Sequence, residues 1–414
     1  MKIFYKSLLP VALAGLALAG CKKDLDTYYT PQPAAGGYEI IITNSALATK
    51  YAPGDMIPLG SGFNAADNPT SITVFQATKT DSAQVGTYPV NASAPINPAT
   101  GLSAQGFPYV VPTTYPIGTS VRVDIILNFQ NGGKRTKSFR YQVANIPTLA
   151  FGSPAATYRN GLGASGQAEG DLIGYALVLN AGGISTSTTP VANLYKSIDS
   201  LVYYARVGTN GALLRQGVIR TPTAGVENKR TIDVRVPSGA AAGGGASFVF
   251  TAYAQSVITQ FSTPLLPVVS ATPFRTTRTG RLAFGGGVST DSLAFNLTAG
   301  ANEPAANPVT GKDLQVNGLS STGTLAVTAP NTTRYYKLTS AQLAANPYAT
   351  ATANAIGTLI YQNTPSADLG TPAVGDVYAV KLRGTTEVML LRVLATRAST
   401  AGGVGRLRFE YRSL

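Results

Sequence analysis

The sequence predicts an all-β chain: two tandem antiparallel β-sandwiches, then a C-terminal antiparallel β-domain with at most one short helix. Three observations lead there. Charged residues are only 12% of the chain while Gly numbers 44 and Pro 26, so runs of charged helix formers are missing and turn formers abound. Short segments alternate apolar and polar positions, which gives a strand one buried and one wet face. Finally, four segments recur in the same order in two successive stretches, as a duplication would leave them.

The first stretch, 38–146, carries strand signals at Tyr38-Glu39-Ile40-Ile41-Ile42, Ser71-Ile72-Thr73-Val74-Phe75, Val121-Arg122-Val123-Asp124-Ile125 and Phe139-Arg140-Tyr141-Gln142-Val143. The second, 147–270, repeats them. Ala52-Pro53-Gly54-Asp55-Met56-Ile57 matches Ala168-Glu169-Gly170-Asp171-Leu172-Ile173, and Ser71–Phe75 matches Ser200-Leu201-Val202-Tyr203-Tyr204. Val121-Arg122-Val123 then matches Val234-Arg235-Val236, and Ser138-Phe139-Arg140-Tyr141 matches Ser247-Phe248-Val249-Phe250. Gly-Asp ahead of an apolar strand has a mechanical meaning: Gly supplies the positive φ of a tight turn, and Asp bonds local backbone amides before the strand starts. In strand spacing and in this turn the two units resemble the immunoglobulin-like domains common in bacterial surface lipoproteins. The resemblance implies a sandwich fold and carries over no catalytic residues. Neither unit has a Trp or a cysteine pair, so the antibody-type core pin is absent.

Residues 271–287 read as a linker. It holds the densest basic cluster, Arg275, Arg278 and Arg281, and the Gly285-Gly286-Gly287 run. The C-terminal domain, 288–414, ends in three strands, Val377–Leu382, Val388–Val393 and Arg406–Tyr411, whose Gly-containing connections predict an antiparallel meander. Its one helix is expected over Ser340–Asn346, with Ser340 as cap and Pro347 as stop. Gly375-Asp376 again precedes a strand.

At the N-terminus, Lys2 and Lys6 precede an apolar stretch from Leu8 to Leu18 that is too short to span a bilayer, so residues 1–20 read as a signal peptide. Leu18-Ala19-Gly20-Cys21 resembles the lipobox of bacterial lipoproteins. The resemblance implies a diacylglycerol on the sulfur of Cys21, an acyl chain on its amine and firm membrane anchoring, since one chain holds only reversibly and several hold fast. Cys21 is the only cysteine, which leaves no disulfide to build. Residues 21–37, with Pro31, Pro33, Gly36 and Gly37, form an extended lipidated tether. Residue 22 is Lys, not the Asp of the inner-membrane retention signal, and Cys21-Lys22-Lys23-Asp24-Leu25-Asp26 resembles the signal that sends some Gram-negative lipoproteins to the outer face of the outer membrane. A periplasm-facing anchor is the alternative.

The chain has no histidine, which removes Ser-His-Asp and Cys-His catalysis, His-ligated zinc and a His-ligated haem. Glycoside hydrolysis needs only two carboxylates; Asp124, Asp171, Asp199, Glu227, Asp291, Asp313 and Asp376 are dispersed and single out no pair. The formal charge of +13 comes from basic residues scattered along strand-like segments, and no nucleic-acid module accompanies it. Aromatics beside cations, in Tyr203-Tyr204 and Arg334-Tyr335-Tyr336-Lys337, mark Tyr336, Arg334 and Tyr204 as candidate ligand-binding residues; adjacent strand residues face opposite sides, so one tyrosine of each pair packs inside. The resulting expectation is a lipid-anchored, non-enzymatic envelope protein that binds or displays. It has no catalytic residues, cofactor or metal, and its partner is a polysaccharide or an envelope protein rather than a specific nucleic acid. The alternatives are a structural or assembly component without a small ligand and a carboxylate-dependent glycosidase.

Overall fold

The computed structural model describes residues 38–42, 47–181, 193–223, 228–255, 257–304, 306–320, 323–399 and 403–414; the signal peptide, the tether and Cys21 lie outside them. The described chain is largely β, in several antiparallel sheets. It divides into two compact units. One takes the described residues up to Thr49 with Met56–Val111 and Ser120–Tyr141, and the other takes Lys50–Asp55, Pro112–Thr119 and Gln142–Leu414.

In chain order the first strands are β1 (Tyr38–Ile42), β2 (Lys50–Tyr51), β3 (Met56–Phe63), β4 (Pro69–Ala77), β5 (Ser82–Pro89), β6 (Ser103–Val110), β7 (Ser120–Phe129) and β8 (Lys134–Val143). One sheet has the order β1-β3-β6 and the other β8-β7-β4-β5, with β2 in short parallel pairing to the end of β8. Alternation fills the core: Ile57, Leu59, Phe107 and Tyr109 of the first sheet and Ile72, Val74, Val121, Val123, Ile125 and Leu127 of the second are all buried. The Tyr109 hydroxyl crosses between the sheets, 2.9 Å from that of Tyr141 and donating to Gln76 Oε1 at 3.0 Å.

The next strands are β9 (Leu149–Tyr158), β10 (Leu172–Leu179), β11 (Ile198–Val207), β12 (Leu214–Thr223), β13 (Asn228–Arg235), β14 (Ala246–Ala254) and β15 (Val257–Ser262). Their sheets run β9-β10-β13 and β12-β11-β14-β15, the strand order of β1-β3-β6 and β5-β4-β7-β8. Ile173, Tyr175, Leu177, Leu179, Ile232 and Val234 close on Leu201, Ala205, Phe248, Phe250 and Ala252 in one core. The shared order corrects two of the four repeat matches. The Gly-Asp turn and the β4/β11 match occupy equivalent places, but Val121–Val123 lies on β7, whose counterpart is β14, and Val234–Val236 starts on β13. Likewise Ser138–Tyr141 belongs to β8 and Ser247–Phe250 to β14. Strands that share one alternation are easily matched one strand out of step.

The C-terminal region has a different build. It contains β16 (Thr276–Gly285), β17 (Ala294–Asn296), β18 (Ala301–Asn302), β19 (Leu314–Leu319), β20 (Leu325–Thr328), β21 (Arg334–Lys337), helices α1 (Ser340–Ala345) and α2 (Ala353–Gln362), and β22 (Val377–Lys381), β23 (Val388–Arg397) and β24 (Val404–Ser413). A five-stranded sheet β16-β24-β23-β22-β21 packs one face on the sheet β18-β17-β19-β20, through Phe295, Leu314, Val327, Leu391 and Phe409. Part of its other face packs on the helices, through Val377, Ala379, Val388 and Leu390 against Ile356 and Ile360. The meander β22-β23-β24 forms as the sequence indicates. Two expectations are corrected. The segment 271–287 is not a linker, since its Thr276–Gly285 portion pairs along its full length with β24. There is also more than one short helix: α2 starts at a Thr352 cap and buries Ile356 and Ile360, an i, i+4 spacing that puts both on one helix face. The cap of α1 is Thr339, whose side chain completes a capping box with Gln342, one residue before the expected Ser340.

One turn occurs three times. Ala52-Pro53-Gly54-Asp55, Ala168-Glu169-Gly170-Asp171 and Ala373-Val374-Gly375-Asp376 each place the third-position Gly at φ +83, +87 and +89°, as a type II turn requires. Each closes with the Asp N–H donating to the Ala carbonyl, at 3.0, 3.1 and 3.1 Å. Each Asp Oδ2 then accepts the Ala N–H, at 2.8, 2.6 and 2.9 Å. In every case the same Oδ2 also takes a donor from a distant segment. Lys196, itself buried, bonds Asp55; Asn354 Nδ2 reaches Asp171 at 2.6 Å; and Lys337 Nζ reaches Asp376 at 2.7 Å.

The Asp171 turn thereby joins the β9–β15 sandwich to helix α2. Its carboxylate also accepts Asn160 Nδ2 at 2.8 Å, while Asn354 Oδ1 accepts the Thr272 N–H at 2.8 Å and Asn354 Nδ2 donates to the Gly166 carbonyl at 2.9 Å. Three and seven residues on, the same helix face presents Gly357 and Tyr361. Gly357 lies so close to Asn160 that a Cβ would stand 2.1 Å from its carbonyl oxygen. Tyr361 lies under the Arg159 guanidinium, 4.5 Å from ring centroid, and donates to Asp233 Oδ2 at 2.7 Å; Arg159 Nε reaches Asp233 Oδ1 at 2.8 Å.

Two outcomes follow from this joint. Gly357→Ala gains helix propensity but drives a methyl into backbone, and should lower stability by about 1–3 kcal/mol in urea unfolding; Gly163→Ala, with open space at the Cβ, should stay within about 0.5 kcal/mol. Burial pushes the Asp171 pKa up against the opposing bonds from Ala168, Asn354 and Asn160. Above the ordinary carboxylate pKa the unfolded chain has then released a proton that the native state still holds, so this contribution to stability falls as pH rises through that window. The melting-temperature gap between wild type and Asp171→Asn should therefore be widest in acid and narrow toward neutral pH.

Candidate functional site

Strand pairing gathers arginines on the face of the five-stranded sheet that the helices leave uncovered. Arg281 of β16 lies directly opposite Arg408 of β24, which pairs on its other side with Ala395 of β23. One row on, Ala283 pairs with Arg406, and Arg406 with Arg397. Paired residues share a face, as do residues two apart on a strand. Arg281, Arg397, Arg406 and Arg408 thus form one block, and all four are exposed. The acid nearest in register, Glu410, opposes Arg392 and forms an ion pair with it. Among the described residues none of the four arginines of the block makes an ion pair.

Like charges set directly opposite on a sheet are destabilising. Cations on an exposed edge strand are a common defence against edge-to-edge pairing, and β16 is such an edge. That defence accounts for Arg281 but not for Arg406 and Arg408, which sit on the interior strand β24. Beside the block runs a groove of ≈ 720 Å³ lined by Arg281, Arg406 and Arg408 together with Thr279, Ser292 and Asn302. Its volume falls in the range of small-ligand sites. Asn302 Nδ2 is spent on the Arg281 and Ala294 carbonyls, at 3.0 and 3.1 Å, and the guanidinium forks and hydroxyls form a donor-bearing wall suited to an anionic, oxygen-rich ligand.

The residues singled out in the sequence go elsewhere. Tyr336 packs on the helix-side core with its hydroxyl 3.2 Å from the Gln342 amide, so the tyrosine expected on display is roofed by α1. Arg334 Nη1 donates to the Asn331 and Thr333 carbonyls, at 2.9 and 2.7 Å, bracing its own turn. Tyr204 is half-buried on β11 of the second sandwich and bonds Tyr253, so it belongs to a different sheet from Tyr336 and Arg334. Their partners Tyr203 and Tyr335 pack inward as alternation requires.

Five of the seven dispersed carboxylates are engaged in structure, while Asp291 is exposed and only its backbone N–H bonds Ser289. Asp313 is fully buried and forms a two-pronged pair with Arg383, at 2.8 and 2.7 Å, while also accepting from Asn331, Thr333 and the Leu297 N–H. Asp124 pairs with Arg122 and accepts from Ser138, and Asp199 accepts the Gln255 N–H. Asp171 and Asp376 serve the turns described above, and Glu227 lies outside the described residues. The Arg-x-Arg alternation of Arg406-Leu407-Arg408 is visible in the sequence. Its meeting with Arg281 is not, because that depends on the β16–β24 register.

No family model matches this chain, and no curated protein matches it. Solved structures are similar only loosely. A DUF4466 family protein from Parabacteroides merdae aligns at 11% identity and TM-score 0.24 over 66% of this chain and all of its own. Trypsin-activated alpha-2-macroglobulin from Escherichia coli aligns at 9% identity and TM-score 0.19, over 90% of this chain and 23% of its own. The D1–D4 ectodomain fragment of ICAM-5 aligns at 10% identity and TM-score 0.20, over 91% of this chain and 76% of its own. Similarity at this level carries no functional argument.

Proposed function

We propose that the chain is a lipid-anchored, non-enzymatic envelope protein in which two immunoglobulin-like sandwiches carry a C-terminal binding domain at the outer membrane, on the cell surface. The observation that supports the binding role is the block of exposed arginines, unpaired among the described residues, beside a groove, an arrangement whose like-charge repulsion a bound anion would relieve. The address rests on Leu18-Ala19-Gly20-Cys21 and on the Pro- and Gly-punctuated tether that follows. The non-enzymatic reading draws support from the absence of histidine and from carboxylates spent on turns and ion pairs.

The address is tested by growing producing cells on radiolabelled palmitate and exposing them, intact, to protease. The protein should take up label, Cys21→Ala should abolish it, and the labelled chain should be cleaved from whole cells. An unlabelled wild-type chain, or label that survives Cys21→Ala, would contradict the anchor; protection of the labelled chain from protease would place it on the periplasmic side.

A further inference from the structure

We infer that the arginine block of β16, β23 and β24 is the binding site for an acidic polysaccharide, whose carboxylate or sulfate groups take the guanidinium forks while its hydroxyls meet Thr279, Ser292 and Asn302. The inference deepens the binding role proposed above. The two arginine rows, Arg281 with Arg408 and Arg406 with Arg397, are successive same-face positions of the sheet, so negative groups repeating along a chain can engage both. A polyanion also removes the repulsion that the bare block carries.

The lining favours a glycan over the other polyanions. Single-stranded nucleic acid is held by aromatic faces on which bases stack; the groove's one aromatic ring is Phe295, which is 3% exposed and packed edge-on against Phe409. A lipid surface calls for a basic face flanked by protruding apolar groups that insert, whereas the large apolar residues lining the groove are buried, as Leu282, Phe295 and Leu407, or half-buried, as Val288 and Val404. Arginine is also the cation whose planar fork fits carboxylate and sulfate oxygens two at a time.

The test uses the full-length protein in non-ionic detergent, with polygalacturonate, heparin, neutral dextran, single-stranded DNA and phosphatidylglycerol vesicles as probes. Polygalacturonate or heparin should bind more tightly than DNA or vesicles, more weakly as salt rises, and dextran should not bind. Arg281→Gln with Arg408→Gln should weaken acidic-glycan binding by about tenfold or more. The same change at exposed Arg140 of β8, a control for diffuse charge, should leave it within about twofold. The double variant should melt no lower than wild type, because it relieves like-charge repulsion, so the lost affinity cannot be lost folding. Equal weakening by Arg140→Gln, or DNA or vesicles bound as tightly as the glycans, would overturn the inference. Binding of dextran that is indifferent to the groove changes would overturn it too, while leaving the binding role intact. Loss of palmitate labelling with the groove effect preserved would fail the anchor and leave the inference standing.

Discussion

The fold of the second compact unit depends on one buried oxygen, Oδ2 of Asp171. A carboxylate at this depth is tolerated only if its lone pairs are used. One is used locally by the Ala168 N–H, which is available because Gly170 lets the chain turn with positive φ. The remaining capacity goes to two amides, Asn160 from the same sandwich and Asn354 from helix α2. A feature that begins as turn chemistry therefore becomes the attachment point of another structural layer. Asp55 with Lys196 and Asp376 with Lys337 repeat the arrangement: a strand-starting turn leaves a partly satisfied carboxylate, and a donor remote in sequence completes it.

This division into local and remote halves explains what was legible in the sequence. The Ala-x-Gly-Asp turns are local, need Gly and Asp at fixed positions, and could be read from four residues. Strands β1, β4, β7, β8 and β11 and the final meander are legible as short strand-like segments. Helix α2 carries Ile356, Leu359 and Ile360 at helical spacing behind its Thr352 cap, but its interior Gly357 weakens the local helix signal; the glycine is required by the approach of Asn160, which no local pattern reveals. β16 reads as a linker because Thr, Arg and Gly dominate it, and its strand character comes from ten residues of pairing with β24. The candidate site failed to show for the same reason. Tyr336 looks displayed until α1 covers it, and Arg281 looks solitary until register brings it to Arg408.

The two compositions of the C-terminal sheet face make physical sense together. Where the helices cover it, the face is Val377, Ala379, Val388 and Leu390; where they stop, it turns to arginine. The Arg392–Glu410 pair lies at the border, with Arg392 4.4 Å from the Tyr348 ring centroid and Arg412 held by the Tyr348, Ala349 and Phe274 carbonyls. These cations are neutralised or bonded, while among the described residues those beyond make no ion pair. In the binding role proposed above such a block is prepositioned, since the side chains stand on strands whose spacing is set by backbone pairing rather than by a loop.

The account stands or falls on whether the Asp171 carboxylate and the Asn354 amide are energetically coupled. A double-mutant cycle of Asp171→Ala, Asn354→Ala and the pair, followed by urea unfolding, measures this directly. The account predicts a coupling of about 1–3 kcal/mol, because either single change leaves a buried partner unsatisfied and the second change then costs little. Additive losses would contradict it, and would mean that the sandwich and the helix layer are joined by their other contacts, among them Tyr361 with Asp233 and Gly357 against Asn160.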